Sequence, residues 1–153
     1  MKIFCVGIGG IGLSGVAQIM KSQGHELSGS DAVASDITDS LKRSDIQVQR
    51  VHRPENIDDT FDLLIYSEAV PADNPERVRA KELGIKQINY AEALGMLSKK
   101  KKTIAITGTH GKTTITGMMT SILLNAGWDP TIIIGSKIDV LNHQNFRVGA
   151  GEW

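Results

Sequence analysis

Short apolar runs that end in glycine or a polar turn alternate along this chain with longer stretches in which apolar positions recur every three or four residues. Residues 3–7 form a β-rich apolar run closed by glycine, and residues 11–23 then read as a helix with Leu13, Val16, Ala17 and Met20 on one face. Residues 25–29 read as a second strand, 41–43 as part of a second helix and 47–51 as a third strand. Residues 62–67 are predicted as a strand ending in a polar turn, and 74–83 as a helix opened by Asn74 with Pro75 at its first position. Gly84 can close that helix before a strand at 85–88 and a short helix at 90–97. Strands that alternate with helices predict an α/β fold with a doubly wound, Rossmann-like parallel sheet.

The run Ser98-Lys99-Lys100-Lys101-Lys102 interrupts this rhythm. Its lysines read as a solvated linker or helix end, which sets a domain boundary between residues 1–97 and 98–153. Beyond it the pattern restarts: a strand at 103–107, a second glycine-containing loop at 108–112, a helix at 113–126 and a strand at 131–134. This reads as one strand–helix–strand unit with a tail, the start of a P-loop α/β domain. About 50 residues with one crossover cannot close a core of ordinary size, so residues 136–153 are expected to be mobile or held by a neighbouring chain.

Composition narrows the function classes. Lysine plus arginine and aspartate plus glutamate number 17 each, so no whole-chain field draws the protein to nucleic acid or an anionic membrane, and anions must be bound locally. Aromatic residues make up 5% and do not interleave with basic ones, which argues against a stacking surface for single strands. The single Cys5 lies inside the apolar run MKIFCVGI and reads as a buried strand thiol. No apolar stretch reaches the roughly 18–20 residues that span a bilayer, and the chain enters a glycine-rich turn where a signal peptide would carry its cleavage site; the expectation is a cytoplasmic protein without membrane insertion.

Two loops carry candidate chemistry. Gly7-Ile8-Gly9-Gly10-Ile11-Gly12 has the G-x-G-x-x-G spacing between a predicted strand and helix. Glycines let the backbone approach a phosphate closely, and the helix amino terminus offers unpaired N–H groups, so a diphosphate suits this loop. Asp31 follows the second strand, where an acid commonly accepts from ribose hydroxyls, although a cap or turn former is the plainer reading. The second loop, Thr107-Gly108-Thr109-His110-Gly111-Lys112-Thr113-Thr114, lacks the first glycine of the standard P-loop, since position 106 is Ile106, but keeps the Gly-Lys-Thr core. Its backbone N–H groups would cradle ATP phosphates, Lys112 would neutralise charge between the β and γ positions, and the Thr113 hydroxyl would ligate Mg²⁺. A nicotinamide dehydrogenase leaves the second loop idle and a simple P-loop GTPase leaves the first unexplained. An enzyme that joins a nucleotide-linked substrate to a second molecule with ATP uses both.

On these residues the chain resembles the Mur ligases, and among them the branches that add L-alanine, or in murein recycling a tripeptide, to UDP-N-acetylmuramic acid. Gly7 through Gly15 looks like the family's opening loop, Ser28-Gly29-Ser30-Asp31 like its second-strand end, Asp73-Asn74-Pro75-Glu76 like its DNPE turn and Thr107 through Thr114 like its ATP loop. Gly127-Trp128-Asp129-Pro130, Ile134-Gly135 and Asn145-Phe146-Arg147-Val148-Gly149 follow its later course. The departures are Glu68 and Val70 in a turn that usually reads Ser-Ser-Ala-Ile, Ile115 for a threonine, Ser136 for a glycine, and Val51-His52 for a Gly-His pair whose histidine is a UDP contact. The resemblance implies that Gly9, Gly10, Ile11, Gly12, Ser14, Ser30, Asp31 and Ser67 surround the UDP-sugar, and that Gly108, Thr109, His110, Gly111, Lys112, Thr113 and Thr114 bind ATP. It further implies that Lys112 is the catalytic cation, that Thr113 is the Mg²⁺ ligand, and that an acyl phosphate on the muramate carboxylate is attacked by the amine of L-alanine. Family members are much longer, so these residues alone are expected to bind nucleotide sugar without ligating. An NAD-binding Rossmann module and a regulatory nucleotide-binding module remain alternatives.

Overall fold

A computed structural model describes all residues Met1–Trp153. The chain divides into two compact units, Met1–Leu94 and Gly95–Trp153. The first is a five-stranded parallel sheet built from β1 (Lys2–Val6), β2 (Glu26–Ser30), β3 (Gln47–Gln49), β4 (Leu63–Tyr66) and β5 (Lys86–Asn89), in the order β3-β2-β1-β4-β5. Its helices are α1 (Ile11–Ser22), α2 (Asp36–Arg43), α3 (Pro75–Glu82) and α4 (Tyr90–Ser98), the last of which continues into the second unit.

β1 is central, with Cys5 opposite Gly29 of β2 and Ile65 of β4. A central parallel strand is covered on both faces and therefore reads as a continuous apolar run. Ile3, Phe4, Cys5 and Val6 are accordingly buried, as are Leu63, Leu64 and Ile65 beside them. Burial pushes the Cys5 thiol up to about 12, which removes its nucleophilic form at neutral pH. Local signals set the helix ends: Ser35 forms a capping box with Thr38 at the start of α2, and the Asn74 side chain accepts from Glu76 N and Arg77 N at the start of α3. The chain runs outward from β1 to β3 on one side and returns to β4 and β5 on the other. This puts a topological switch point between β1 and β4, where doubly wound sheets bind ligands at their carboxyl ends.

The second unit departs from the expected strand–helix–strand pattern. Helix α5 (Lys112–Asn125) is followed by β6 (Ile132–Ile138), which pairs antiparallel with β7 (Gln144–Arg147). Residues 103–107 lie in no strand, because no neighbour offers them a ladder and a lone extended segment leaves its backbone groups to solvent. Residues 136–153, expected to be mobile or held by a neighbouring chain, supply the second strand of a hairpin closed through Asn142 and His143, both at positive φ. Its end is tied down by Lys101, whose ammonium donates to the carbonyls of Gly149 and Gly151, by Thr131 N donating to Trp153 O at 2.9 Å, and by stacking of Trp128 on Trp153. Ile132, Ile134 and Leu141 form the small core. No helix is long and apolar enough to cross a membrane.

Candidate functional site

The glycine loop leaves β1 at the switch point. Gly7 N and Ile8 N both donate to Ser30 O, at 2.8 and 3.0 Å, which fastens the loop to the end of β2. Gly10 then stands just before α1 and has no side chain to cap it, so the first-turn amides of Gly12 and Leu13 receive no side-chain cap from it. An anion is the chemical complement of such a terminus.

Asp31 reaches back across this loop. Its Oδ2 accepts from Gly9 N at 2.8 Å and its Oδ1 from Val33 N at 2.9 Å, so it is both the turn former of the plain reading and a strap on the loop. A Cβ at Gly9 would come within 2.7 Å of Asp31 Oδ2, so only glycine fits beneath the carboxylate. Each Asp31 oxygen keeps further acceptor capacity beyond these bonds. Ser67 opens the turn after β4, with its N–H on Val6 O at 3.0 Å, and abuts the loop: a methyl on Gly7 would lie 3.0 Å from Ser67 Cβ.

Gly9, Gly10, Ile11, Gly12, Asp31 and Ser67 are thus gathered at the carboxyl ends of β1, β2 and β4. Ser14 and Ser30 stand apart from them in one respect, since both are fully buried. The Ser14 hydroxyl donates to Ile11 O at 2.9 Å, and the Ser30 hydroxyl to Glu76 Oε2 at 2.6 Å. Glu76, itself buried, also meets His52 and Asn56. The sequence reading singled out neither Glu76 nor Asn56 as chemistry; the available signal was a glutamate just inside a helix start whose cap was already supplied by Asn74.

In the second unit the loop at 108–112 ends at Gly111, the residue before α5, whose φ of 76° is the left-handed region that favours glycine. The 14-residue α5 receives no side-chain cap. Lys112 folds back over the loop, its ammonium donating to Gly108 O at 2.6 Å and to Thr109 O at 3.3 Å. Thr109, His110, Thr113 and Thr114 are exposed around it. The Thr113 hydroxyl has no partner within the protein, whereas Thr116 donates back to Lys112 O at 2.8 Å. The protein contains no cluster of three or more His, Cys, Asp or Glu that could hold a metal by itself.

Residues 2–102 match the model of the Mur ligase family, catalytic domain. The chain is 41% identical over 153 residues to the UDP-N-acetylmuramate–L-alanine ligase of Clostridium perfringens, covering 99% of this chain and 33% of the relative. The solved structure of the UDP-N-acetylmuramate–alanine ligase from Thermotoga maritima superposes with a TM-score of 0.92 at 38% identity, over 99% of this chain and 36% of that one. A UDP-N-acetylmuramate:L-alanyl-gamma-D-glutamyl-meso-diaminopimelate ligase from Neisseria meningitides gives a TM-score of 0.82 at 28% identity, over 88% of this chain and 42% of that one. The chain spans about a third of the length of the curated relative it matches.

Proposed function

This chain belongs to the Mur ligase family, and from that premise we propose that it is the amino-terminal part of a cytoplasmic ligase that joins L-alanine to UDP-N-acetylmuramic acid at the expense of ATP. Residues 1–97 bind the UDP-sugar and residues 98–153 begin the ATP-binding domain. The observation that carries this reading is the pairing of two glycine loops, each opening onto an uncapped helix amino terminus, in one chain. Identity favours alanine over the tripeptide: 41% and 38% to two alanine ligases against 28% to the tripeptide ligase.

In the reaction, the loop at 7–12 and the α1 terminus hold the UDP diphosphate, while Asp31 accepts from ligand hydroxyls and Ser67 lines the opposite wall. In the second unit the amides from Thr109 to Lys112 hold the β phosphate of ATP. Lys112 exchanges its loop carbonyls for phosphoryl oxygens and stabilises charge as the γ phosphate passes to the muramate carboxylate. The Thr113 hydroxyl, which has no partner within the protein, would be the group that holds a hard cation such as Mg²⁺. Held there, Mg²⁺ would supply neutralisation of phosphate charge. The acyl phosphate so formed has a leaving group that the amine of L-alanine can displace.

Lys112→Ala tests the division of labour. Titration calorimetry should show Mg-ATP binding abolished and UDP-N-acetylmuramic acid binding unchanged; loss of both together would show that the two loops do not serve separate ligands.

A further inference from the structure

The Glu76 cluster is the one buried polar constellation that the proposed chemistry does not use. Three donors from three segments converge on one carboxylate. The Ser30 hydroxyl donates to Oε2 at 2.6 Å, His52 Nδ1 lies 2.7 Å from the same oxygen, and Asn56 Nδ2 donates to Oε1 at 2.5 Å. Asn56 spends its other amide hydrogen on Val51 O at 2.8 Å, one residue before His52. Ser30 Oγ also lies 3.0 Å from His52 Nδ1. Glu76 is 0% exposed, so this carboxylate depends on these hydrogen bonds.

The donor inventory places a hydrogen on the histidine's Nδ1. A carboxylate only accepts, and the Ser30 hydroxyl has already given it its single proton, so Nδ1 must carry a hydrogen to make its bond. A neutral ring then has its lone pair on Nε2, which has no partner within the protein on a side chain that is 24% exposed. The same network reaches the glycine loop, because the Ser30 carbonyl accepts from Gly7 N and Ile8 N while its hydroxyl bonds Glu76. Ring and loop are therefore registered to one another through a single residue.

We propose that Glu76 is a positioning residue for substrate binding, which locks His52 as the Nδ1–H tautomer and so presents Nε2 as a hydrogen-bond acceptor beside the loop. The inference rests on the UDP-sugar reading of this unit. An acceptor at that place selects a ligand offering a hydrogen there, a nucleobase imide N–H or a sugar hydroxyl, and disfavours a phosphoryl oxygen.

The test combines a spectroscopic signature with binding. In a chain labelled with ¹⁵N-histidine, the His52 signals, identified by their loss in His52→Asn, should show a protonated Nδ1 and an unprotonated Nε2. In Glu76→Gln the amide can donate to the ring, and the pattern should reverse. UDP should bind the wild type about tenfold more tightly than either Glu76→Gln or His52→Asn, the equivalent of one lost hydrogen bond. His52→Asn keeps a donor for Glu76 and removes only the Nε2 acceptor, so its binding is informative even where Glu76→Gln fails to fold. A UDP derivative methylated at the imide nitrogen distinguishes the sources: weaker binding to the wild type identifies the base, and equal binding identifies a hydroxyl. An Nε2–H tautomer in the wild type, or UDP affinity unchanged in His52→Asn, would overturn the proposal. Absence of UDP binding in the wild type would instead sink the UDP-sugar reading, with the tautomer pattern still deciding what Glu76 does to His52.

Discussion

The carboxylate of Asp31 fills the space that a side chain on Gly9 would need, and the shape of the first loop depends on that fit. Asp31 Oδ2 holds Gly9 N at 2.8 Å, and a Cβ there would also meet Thr38 Cγ2 at 3.0 Å. Gly9→Ala must therefore push Asp31 off the loop or shift the α2 start. The expected outcome is a loss of roughly 1–3 kcal/mol in thermal or denaturant unfolding, typical of overpacking, together with UDP-ligand affinity reduced at least about tenfold by calorimetry. Unchanged binding would mean that the strap on Gly9 has no part in shaping the ligand site. Asp31 is the turn former of the plainer sequence reading, and under the proposed function the same carboxylate would face the ligand.

Among the elements, the parallel sheet was legible in advance because its inner strands β1 and β4 are β-rich apolar runs closed by a glycine or a polar turn, and because Asn74-Pro75 and Gly84 mark the ends of α3 in local chemistry. The antiparallel hairpin was not. Residues 131–134 give the same apolar signal whether they pair with 103–107 or with β7, and pairing partners are set by tertiary contacts that periodicity does not encode. The Glu76 network was hidden for a related reason: its members lie at positions 30, 52, 56 and 76, and only folding brings them together. Hydrogen exchange separates the two kinds of segment in the second unit. Amides of residues 103–107, lacking a ladder, should exchange fast, and those bonded between β6 and β7 should be protected. Protection at 103–107 as strong as in the hairpin would show that this segment finds a strand partner in solution.

On the scale of the whole molecule, neutral net charge means that anionic ligands are captured by local geometry, and the chain supplies that geometry twice. The first unit has a switch point, a glycine loop strapped by Asp31 and a buried cluster behind it; the second has a Gly-Lys-Thr helix start with the Lys112 ammonium resting on loop carbonyls. A dehydrogenase has no use for the second, and a P-loop hydrolase none for the first. The most direct test is titration calorimetry of this chain with UDP-N-acetylmuramic acid, with UDP, NAD and Mg-ATP as parallel ligands. Binding of UDP-N-acetylmuramic acid and UDP without NAD is the predicted result, whereas binding of NAD alone would make the first loop a dinucleotide site and contradict the proposed ligase function.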